Sequence, residues 1–188
     1  MSRIVLYLGG MAGDFLVSCF NPDQFESIDV KVILKPEFGS LKKFWRMTLD
    51  EKTEYINTFD DSVFLSSHDT EFSRLFPDRT IQIVCSNTDT LQQLSSRFRQ
   101  LNRPEVIEHL CSQHNLYINN FDTEYAKMCA NWNTGVAFPV QFDISNIFNS
   151  EFSQDFERFC QANNIPHDIT CVEELHKTWL AQNENFIG

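Results

Sequence analysis

The sequence predicts an α/β protein in which helices cover both faces of a mostly parallel sheet of about four to five strands, a three-layer α/β/α arrangement. Two observations predict this fold class. Short apolar runs bounded by turn residues alternate with longer amphipathic segments along the chain. The first run, Arg3–Leu8, is almost continuously apolar, which is typical of a strand buried on both faces of a parallel sheet.

The elements of the first third follow from capping and stop signals. A short helix is predicted at Asp14–Phe20 and ends at Asn21, which precedes a proline. An edge or second strand is expected at Asp29–Leu34. Thr48–Phe59 is predicted to be a helix, because its first residue is followed three positions later by Glu51, the spacing of a capping box.

The middle of the chain alternates strand and helix again. A short strand is predicted at Ser62–Ser66 and a helical turn at Glu71–Phe76, which stops at a proline. Thr80–Cys85 is the second clear strand, and a helix is expected from Thr90 to Leu101. This alternation favours parallel strands joined by helical crossovers.

The last third adds helices and one more strand. Pro104 opens a helix at a first-turn position, and Phe121–Trp132 is also predicted to be helical. Val136–Ile144 is the third good strand, and amphipathic helices are expected at Phe152–Asn163 and Cys171–Asn183. Three phenylalanines of the first of these helices recur at helical spacing and are assigned to the core: Phe152, Phe156 and Phe159.

Composition limits the classes of partner. The 188 residues, 42% of them hydrophobic, suffice for one core, and we expect a single domain over residues 1–188. The net charge of −11 disfavours nucleic acid and anionic lipid as partners. No apolar stretch reaches the roughly 18 residues that span a bilayer, and no secretory leader is recognised, so we expect a cytoplasmic protein.

The cysteines do not indicate a metal site. The chain has six, none of them in a C-x-x-C pair, so no metal is expected, and we interpret them as reduced and mostly buried.

A glycine-rich turn follows the first strand: Gly9-Gly10-Met11-Ala12-Gly13, with Asp14 next. Strand, tight turn and helix N-terminus in this order can direct backbone N–H groups and the positive end of a helix dipole at an anion. The residues match neither G-x-x-x-x-G-K-[ST] nor G-x-G-x-x-G, so a turn without a ligand stays an open interpretation. We treat the segment as a candidate anion site of a P-loop-like fold, in which Asp14 suits the helix but repels phosphate.

Two further segments follow strands. His68 lies directly after the strand predicted at Ser62–Ser66, where ligands bind in parallel α/β folds, and it is a candidate general base or else a solvated loop residue. The next strand is followed by Asp89 and then by Ser95 and Arg97 on a helix. The hydroxyl and the guanidinium on this helix suit a second phosphate, although a capped helix with a solvated polar face is the alternative.

The order of these segments resembles the sulfotransferase superfamily. The order is strand, glycine turn and helix, then a strand that ends at His68, then Arg79-Thr80-Ile81-Gln82-Ile83-Val84 and the polar loop and helix described above. The C-terminal segments are similar to the end of short phage and bacterial sulfotransferase-like proteins: Val140–Phe148 and His176–Asn183. The likeness spans most of the chain.

This resemblance implies transfer of a sulfuryl group from 3′-phosphoadenosine-5′-phosphosulfate to a hydroxyl or amine. By this resemblance the turn at 9–14 holds the 5′-phosphosulfate, His68 deprotonates the acceptor, and Asp89, Ser95 and Arg97 lie where the family binds the 3′-phosphate. The family's P-loop lysine falls near Gly10, its 3′-phosphate arginine falls near Cys85, and Asp14 replaces a threonine. Four cations remain as candidate replacements: Lys42, Lys43, Arg46 and Arg97.

The missing cations also favour a second hypothesis, a catalytically inactive binding or structural module. We would expect such a module to be phage-encoded and part of an assembly, in the host cytoplasm or the virion. Its partner would be another protein or a second copy of the chain, with exposed tryptophans as anchors: Trp45, Trp132 and Trp179. A nucleotide-kinase relative is a poorer third interpretation, because Gly-Lys-Ser/Thr is missing.

Overall fold

The computed structural model describes residues 3–21, 25–28, 32–34, 47–59, 62–135 and 137–186. Its strands are β1 (Arg3–Leu6), β2 (Phe25–Ile28), β3 (Val32–Leu34), β4 (Phe64–Ser67), β5 (Thr80–Val84) and β6 (Val140–Asp143). Its α-helices are α1 (Gly13–Phe20), α2 (Leu49–Thr58), α3 (Thr70–Arg74), α4 (Thr88–Leu101), α5 (Pro104–His114), α6 (Phe121–Gly135), α7 (Phe152–Ala162) and α8 (Ile169–Gln182).

The central sheet has the order β4–β1–β5–β6, and every pair in it is parallel. The protein is therefore α/β with a parallel sheet inside a three-layer arrangement, as the sequence predicts. Strand β1 lies in the middle, and its residues Ile4, Val5 and Leu6 have no exposed surface. The chain turns from β1 to β4 on one side and from β5 to β6 on the other, so the strand order reverses at β1. Ligands of such sheets bind beyond the carboxyl ends of the strands at this reversal.

Side chains alternate between the two faces of the sheet. On one face Val5, Phe64 and Ile83 belong to a large core cluster, and aromatic contacts join this face to α1 and α7, with Phe64 on Phe20 and Phe142 on Phe156. The opposite face carries a smaller cluster in which α2 and α3 cover β1 and β4: Ile4, Ile56, Leu65 and Phe72. Layers of helix therefore lie on both sides of the strands.

The phenylalanine stripe of α7 is confirmed as core. Phe152 and Phe156 are buried, and the half-buried Phe159 packs against the same cluster. The predicted capping box of α2 is also present, because Thr48 accepts from the Glu51 amide while the Glu51 carboxylate accepts from the Thr48 amide.

The strands differ from the prediction mainly at their ends. Strand β6 begins at Val140, later than predicted, because Pro139 has no N–H for the ladder and Phe138 N donates instead to the Gln82 side chain at 3.1 Å. Val136, the predicted start, lies outside the described residues. The strand expected at 29–34 is described over Val32–Leu34 and pairs antiparallel with β2 in a separate sheet. Its first three residues lie outside the described part of the chain.

Candidate functional site

The carboxyl ends of β1 and β4 form the candidate site. Leu6 pairs with Ser67, so the residues that follow, Tyr7 and His68, are neighbours. His68 Nδ1 lies 2.7 Å from Tyr7 O, and the two rings meet edge to face with centroids 4.5 Å apart. The parallel pairing therefore brings the predicted base to the start of the glycine turn, although 61 positions of sequence separate the two residues.

The turn itself needs glycine at position 10. Gly10 has a φ of +84°, a conformation that residues with a β-carbon rarely adopt. Ala12 at the N-cap of α1 is also left-handed, with a φ of 52°. The turn is closed by the Met11 amide, which donates to Leu8 O at 3.2 Å, and by the Tyr125 hydroxyl, which donates to Gly9 O at 2.6 Å. The first amides of α1 beyond this turn have no partner within the helix.

Tyr7 joins the turn to β4. Its hydroxyl donates to Asp14 Oδ1 at 3.1 Å and lies 2.6 Å from Ser66 Oγ, so the Ser66 hydroxyl donates to the Tyr7 oxygen. Burial, together with the nearby Asp14 carboxylate, raises the pKa of Tyr7 well above its ordinary value. The phenol therefore stays protonated and holds Asp14, which is exposed in the first turn of α1.

Arg97 of α4 contacts the C-terminal end of α8. Its Nε donates to Asn183 Oδ1, and its guanidinium lies 5.2 Å from the centre of the Trp179 ring. Burial lowers the pKa of Arg97 to about 10, and the Asp14 carboxylate partly offsets that effect. Arg97 therefore stays charged at neutral pH and is electrostatically coupled to the first turn of α1. Of the four candidate replacement cations, the other three lie outside the described residues.

The remaining predicted binding residues on α4 have other surroundings. Ser95 is buried and its hydroxyl donates to Leu91 O at 2.7 Å within the helix. Asp89 is exposed in the first turn of α4, where its amide donates to Asn87 Oδ1. It lies eight residues before Arg97, which is about 12 Å along a helix. The structure therefore places His68 beside the start of the Gly9–Asp14 turn and couples Arg97 electrostatically to Asp14. Asp89 lies about two helical turns before Arg97, and the Ser95 hydroxyl is used within α4.

A partly buried ion pair supports the loop that carries His68. Lys52 of α2 is buried, and its Nζ lies 2.7 Å from Asp69 Oδ2. Asp69 also caps α3 by accepting from Phe72 N at 2.9 Å. Burial on its own raises the pKa of Asp69, but the hydrogen bonds from Lys52 and Phe72 outweigh it and leave the pKa below its ordinary value. The carboxylate is therefore charged and fixes the residue that follows His68.

The polar loop after β5 has a structural role. Asp143 accepts from the Ser86 amide and hydroxyl at 3.2 and 2.5 Å, and from the Ser145 amide and hydroxyl at 2.9 and 2.6 Å. These bonds tie the ends of β5 and β6 together. Burial raises the pKa of the neighbouring Cys85 to about 11, so this cysteine stays a neutral thiol.

All six cysteines are free thiols, and five of them are buried. Among the described residues, no three His, Cys, Asp or Glu side chains are grouped so that they could hold a metal ion. Within those same ranges, no helix combines the length and apolarity needed to cross a bilayer.

Sequence reasoning missed three side chains of this site: Tyr7, Ser66 and Asn183. A strand pattern places Tyr7 on the same face as Val5, but it does not show which strand lies beside it. One assignment was wrong: Trp179 is not an exposed anchor, since only 2% of its surface is exposed and it stacks on Phe15. Trp132 is half-buried, and Trp45 lies outside the described residues.

Comparisons of the chain with protein-family models, with curated protein sequences and with solved structures found no match.

Proposed function

We propose that this chain is a small sulfotransferase-like enzyme that binds 3′-phosphoadenosine-5′-phosphosulfate at the carboxyl ends of β1 and β4. In this proposal it transfers the sulfuryl group to a hydroxyl or amine acceptor. The observation that carries the proposal is the contact between His68 and Tyr7, which puts a histidine beside the glycine turn. A base and an anion-binding turn must be neighbours for such a transfer, because both act on the same reacting atoms.

The orientation of His68 suits a general base. A backbone carbonyl can only accept a hydrogen bond. The neutral imidazole therefore carries its proton on Nδ1 and donates a hydrogen bond from it to Tyr7 O. Nε2 then keeps its lone pair, and the ring is exposed to an incoming acceptor. Nε2 takes the acceptor's proton as the acceptor oxygen or nitrogen bonds to sulfur. The bond from sulfur to the bridging phosphate oxygen breaks, and adenosine 3′,5′-bisphosphate leaves.

The electrostatics support an anionic leaving group at the turn. Positioned N–H donors and cations stabilise the charge that develops on a bridging oxygen. The first amides of α1 supply donors, and Arg97 supplies a cation that the glycine turn itself lacks. The negative charge of Asp14 opposes this stabilisation of an anion, although the Tyr7 hydroxyl donates a hydrogen bond to the Asp14 carboxylate.

A second function, a binding or structural module without catalysis, is favoured by two specific observations. The Tyr7 ring packs directly on Gly13, and the Asp14 carboxylate lies at the helix end where phosphate would bind. Both features fit a turn that is kept for its packing and not for a nucleotide.

Titration with adenosine 3′,5′-bisphosphate separates the two functions. The enzyme predicts a rise in thermal stability that corresponds to about 2.7 kcal/mol at 100 times the dissociation constant. It also predicts label transfer from the sulfated nucleotide to members of a panel of hydroxyl and amine acceptors. No stabilisation at millimolar nucleotide and no transfer would reject the enzyme and leave the binding module.

A further inference from the structure

Arg97 is a partly buried cation whose charge is compensated only in part. None of the ion pairs Lys52–Asp69, Arg99–Asp122 and Arg158–Asp155 includes Arg97, and the Asp14 carboxylate offsets only part of the effect of burial on its pKa. The chain has 26 acidic residues against 15 Lys and Arg, so carboxylates for closer pairing are plentiful. Withdrawing a charge from water without full compensation by opposite charge is unfavourable. A guanidinium kept in this state is suited to a ligand that brings the negative charge.

The C-terminal helix fixes the direction of this guanidinium. The Asn183 side chain donates from Nδ2 to Trp179 O at 2.5 Å, which turns its Oδ1 towards Arg97 Nε. The Trp179 ring lies against the guanidinium at 5.2 Å. This arrangement uses one of the five N–H donors of arginine and leaves the four on its terminal nitrogens for another acceptor.

A second donor lies in the same neighbourhood. Trp179 Nε1 is buried and has no hydrogen-bond partner among the described residues. The same ring stacks on Phe15, with centroids 4.9 Å apart, and Phe15 belongs to the first turn of α1. Trp179 therefore joins the Arg97 guanidinium to the first turn of α1, whose first amides have no partner within the helix.

We propose that Arg97, positioned by Asn183 and Trp179, binds a doubly negative phosphate or sulfate group, so that helix α8 completes the anion site at the start of α1. The identity of the ligand as an adenosine nucleotide rests on the proposed function, whereas the anion site itself does not. Arg97 thus supplies the positive charge that the glycine turn lacks, and Asn183 and Trp179 are positioning residues.

The test compares anion affinity and thermal stability in matched variants. The probes are adenosine 3′,5′-bisphosphate and inorganic pyrophosphate, followed by calorimetry and by tryptophan fluorescence. Arg97→Met should weaken both probes by about 10- to 100-fold, the value of hydrogen bonds to a charged group. Its thermal midpoint should stay equal or rise, because the variant removes a buried charge. Arg99→Met, on the exposed face of the same helix, should leave both affinities nearly unchanged.

Two more variants test the surroundings of Arg97, one at the end of α8 and one in the first turn of α1. Asn183→Asp places a carboxylate against Arg97 in the folded chain and should weaken both probes as Arg97→Met does. Asp14→Asn removes a negative charge from the same helix end and should strengthen both. Because Asn183→Asp keeps the guanidinium, it tests the proposal even if Arg97→Met does not fold.

The outcomes separate this inference from the proposed function. If the wild type binds both probes and the Arg97 and Asn183 variants bind equally well, the inference is overturned while the nucleotide proposal stands. If pyrophosphate binds in an Arg97-dependent manner and the nucleotide does not bind, the anion site stands and the sulfotransferase proposal fails. If the wild type binds neither probe, both are rejected.

Discussion

The ring of Tyr7 occupies the space that a side chain at position 13 would need. A β-carbon built on Gly13 would lie 1.9 Å from Tyr7 Cε2. Gly13 is the first residue of α1, and its φ lies outside the left-handed region, so this contact and not backbone strain requires glycine. Tyr7 in turn contacts His68 and donates a hydrogen bond to Asp14. Glycine at position 13 therefore leaves the space that the Tyr7 ring needs to make these contacts.

Gly13→Ala should therefore destabilise the protein. Alanine normally stabilises a helix relative to glycine by up to about 1 kcal/mol, but overpacking a full site costs about 1–3 kcal/mol. We expect the second effect to dominate in urea denaturation. Gly135→Ala in α6, where nothing lies within 4 Å, is the control and should be neutral or stabilising. An equal loss for Gly13→Ala in a Tyr7→Leu background would contradict the explanation.

His68→Ala tests the proposed base. Loss of a general base should lower turnover by about 10²–10⁴-fold. The free energy of unfolding should fall by no more than about 1 kcal/mol, because the exposed ring gives up one hydrogen bond, to Tyr7 O. His114→Ala, at an exposed position of α5, should change neither quantity. Full turnover with a large loss of stability would instead mark His68 as structural.

His176 should make stability depend on pH. Burial lowers the pKa of His176 in the folded chain, although the hydrogen bond from Nε2 to Ile147 O partly opposes it. As the pH falls, the His176 imidazole of the unfolded chain takes up a proton near pH 6.5, whereas in the folded chain it does so only at a lower pH. Its contribution to stability is complete above about pH 6.5 and declines as the pH falls below that value.

The measurement compares urea denaturation at about pH 7.5 and about pH 5.5, on either side of the histidine pKa. The free energy of unfolding of His176→Gln, whose amide can still donate to Ile147 O, should fall less than that of the wild type over this interval. His109→Gln, at an exposed position, should behave as the wild type does. Equal pH dependence in all three proteins would refute the role of His176.

The ion pair beside His68 should contribute to stability. Asp69→Asn keeps an oxygen that can cap α3 but removes the negative charge 2.7 Å from the buried Lys52 ammonium. We expect a loss of about 1–2 kcal/mol in the free energy of unfolding. This is below the value for a fully buried pair, because 40% of the Asp69 side chain is exposed. Arg158→Gln, which breaks a surface pair, should cost less than about 0.5 kcal/mol.

Much of the fold was predictable because its signals are local. The apolar run of β1, the capping box of Thr48 and the phenylalanine stripe of α7 each reflect neighbours within a few residues, and each is present. The strand ends were less predictable. The start of β6 depends on Gln82, a side chain from another strand that accepts the Phe138 amide hydrogen.

The candidate site was also predictable from the sequence only in part. The sequence by itself determined that Gly9–Asp14 and His68 follow strands, because turn residues after apolar runs mark strand ends. Only the tertiary structure decided that β4 pairs with β1, which puts His68 on Tyr7. It also decided that Trp179 packs inside, against Phe15 and the Arg97 guanidinium. The His68–Tyr7 contact joins residues 61 positions apart and the Arg97–Asn183 hydrogen bond joins residues 86 positions apart, and such pairings depend on the packing of whole elements rather than on local preference.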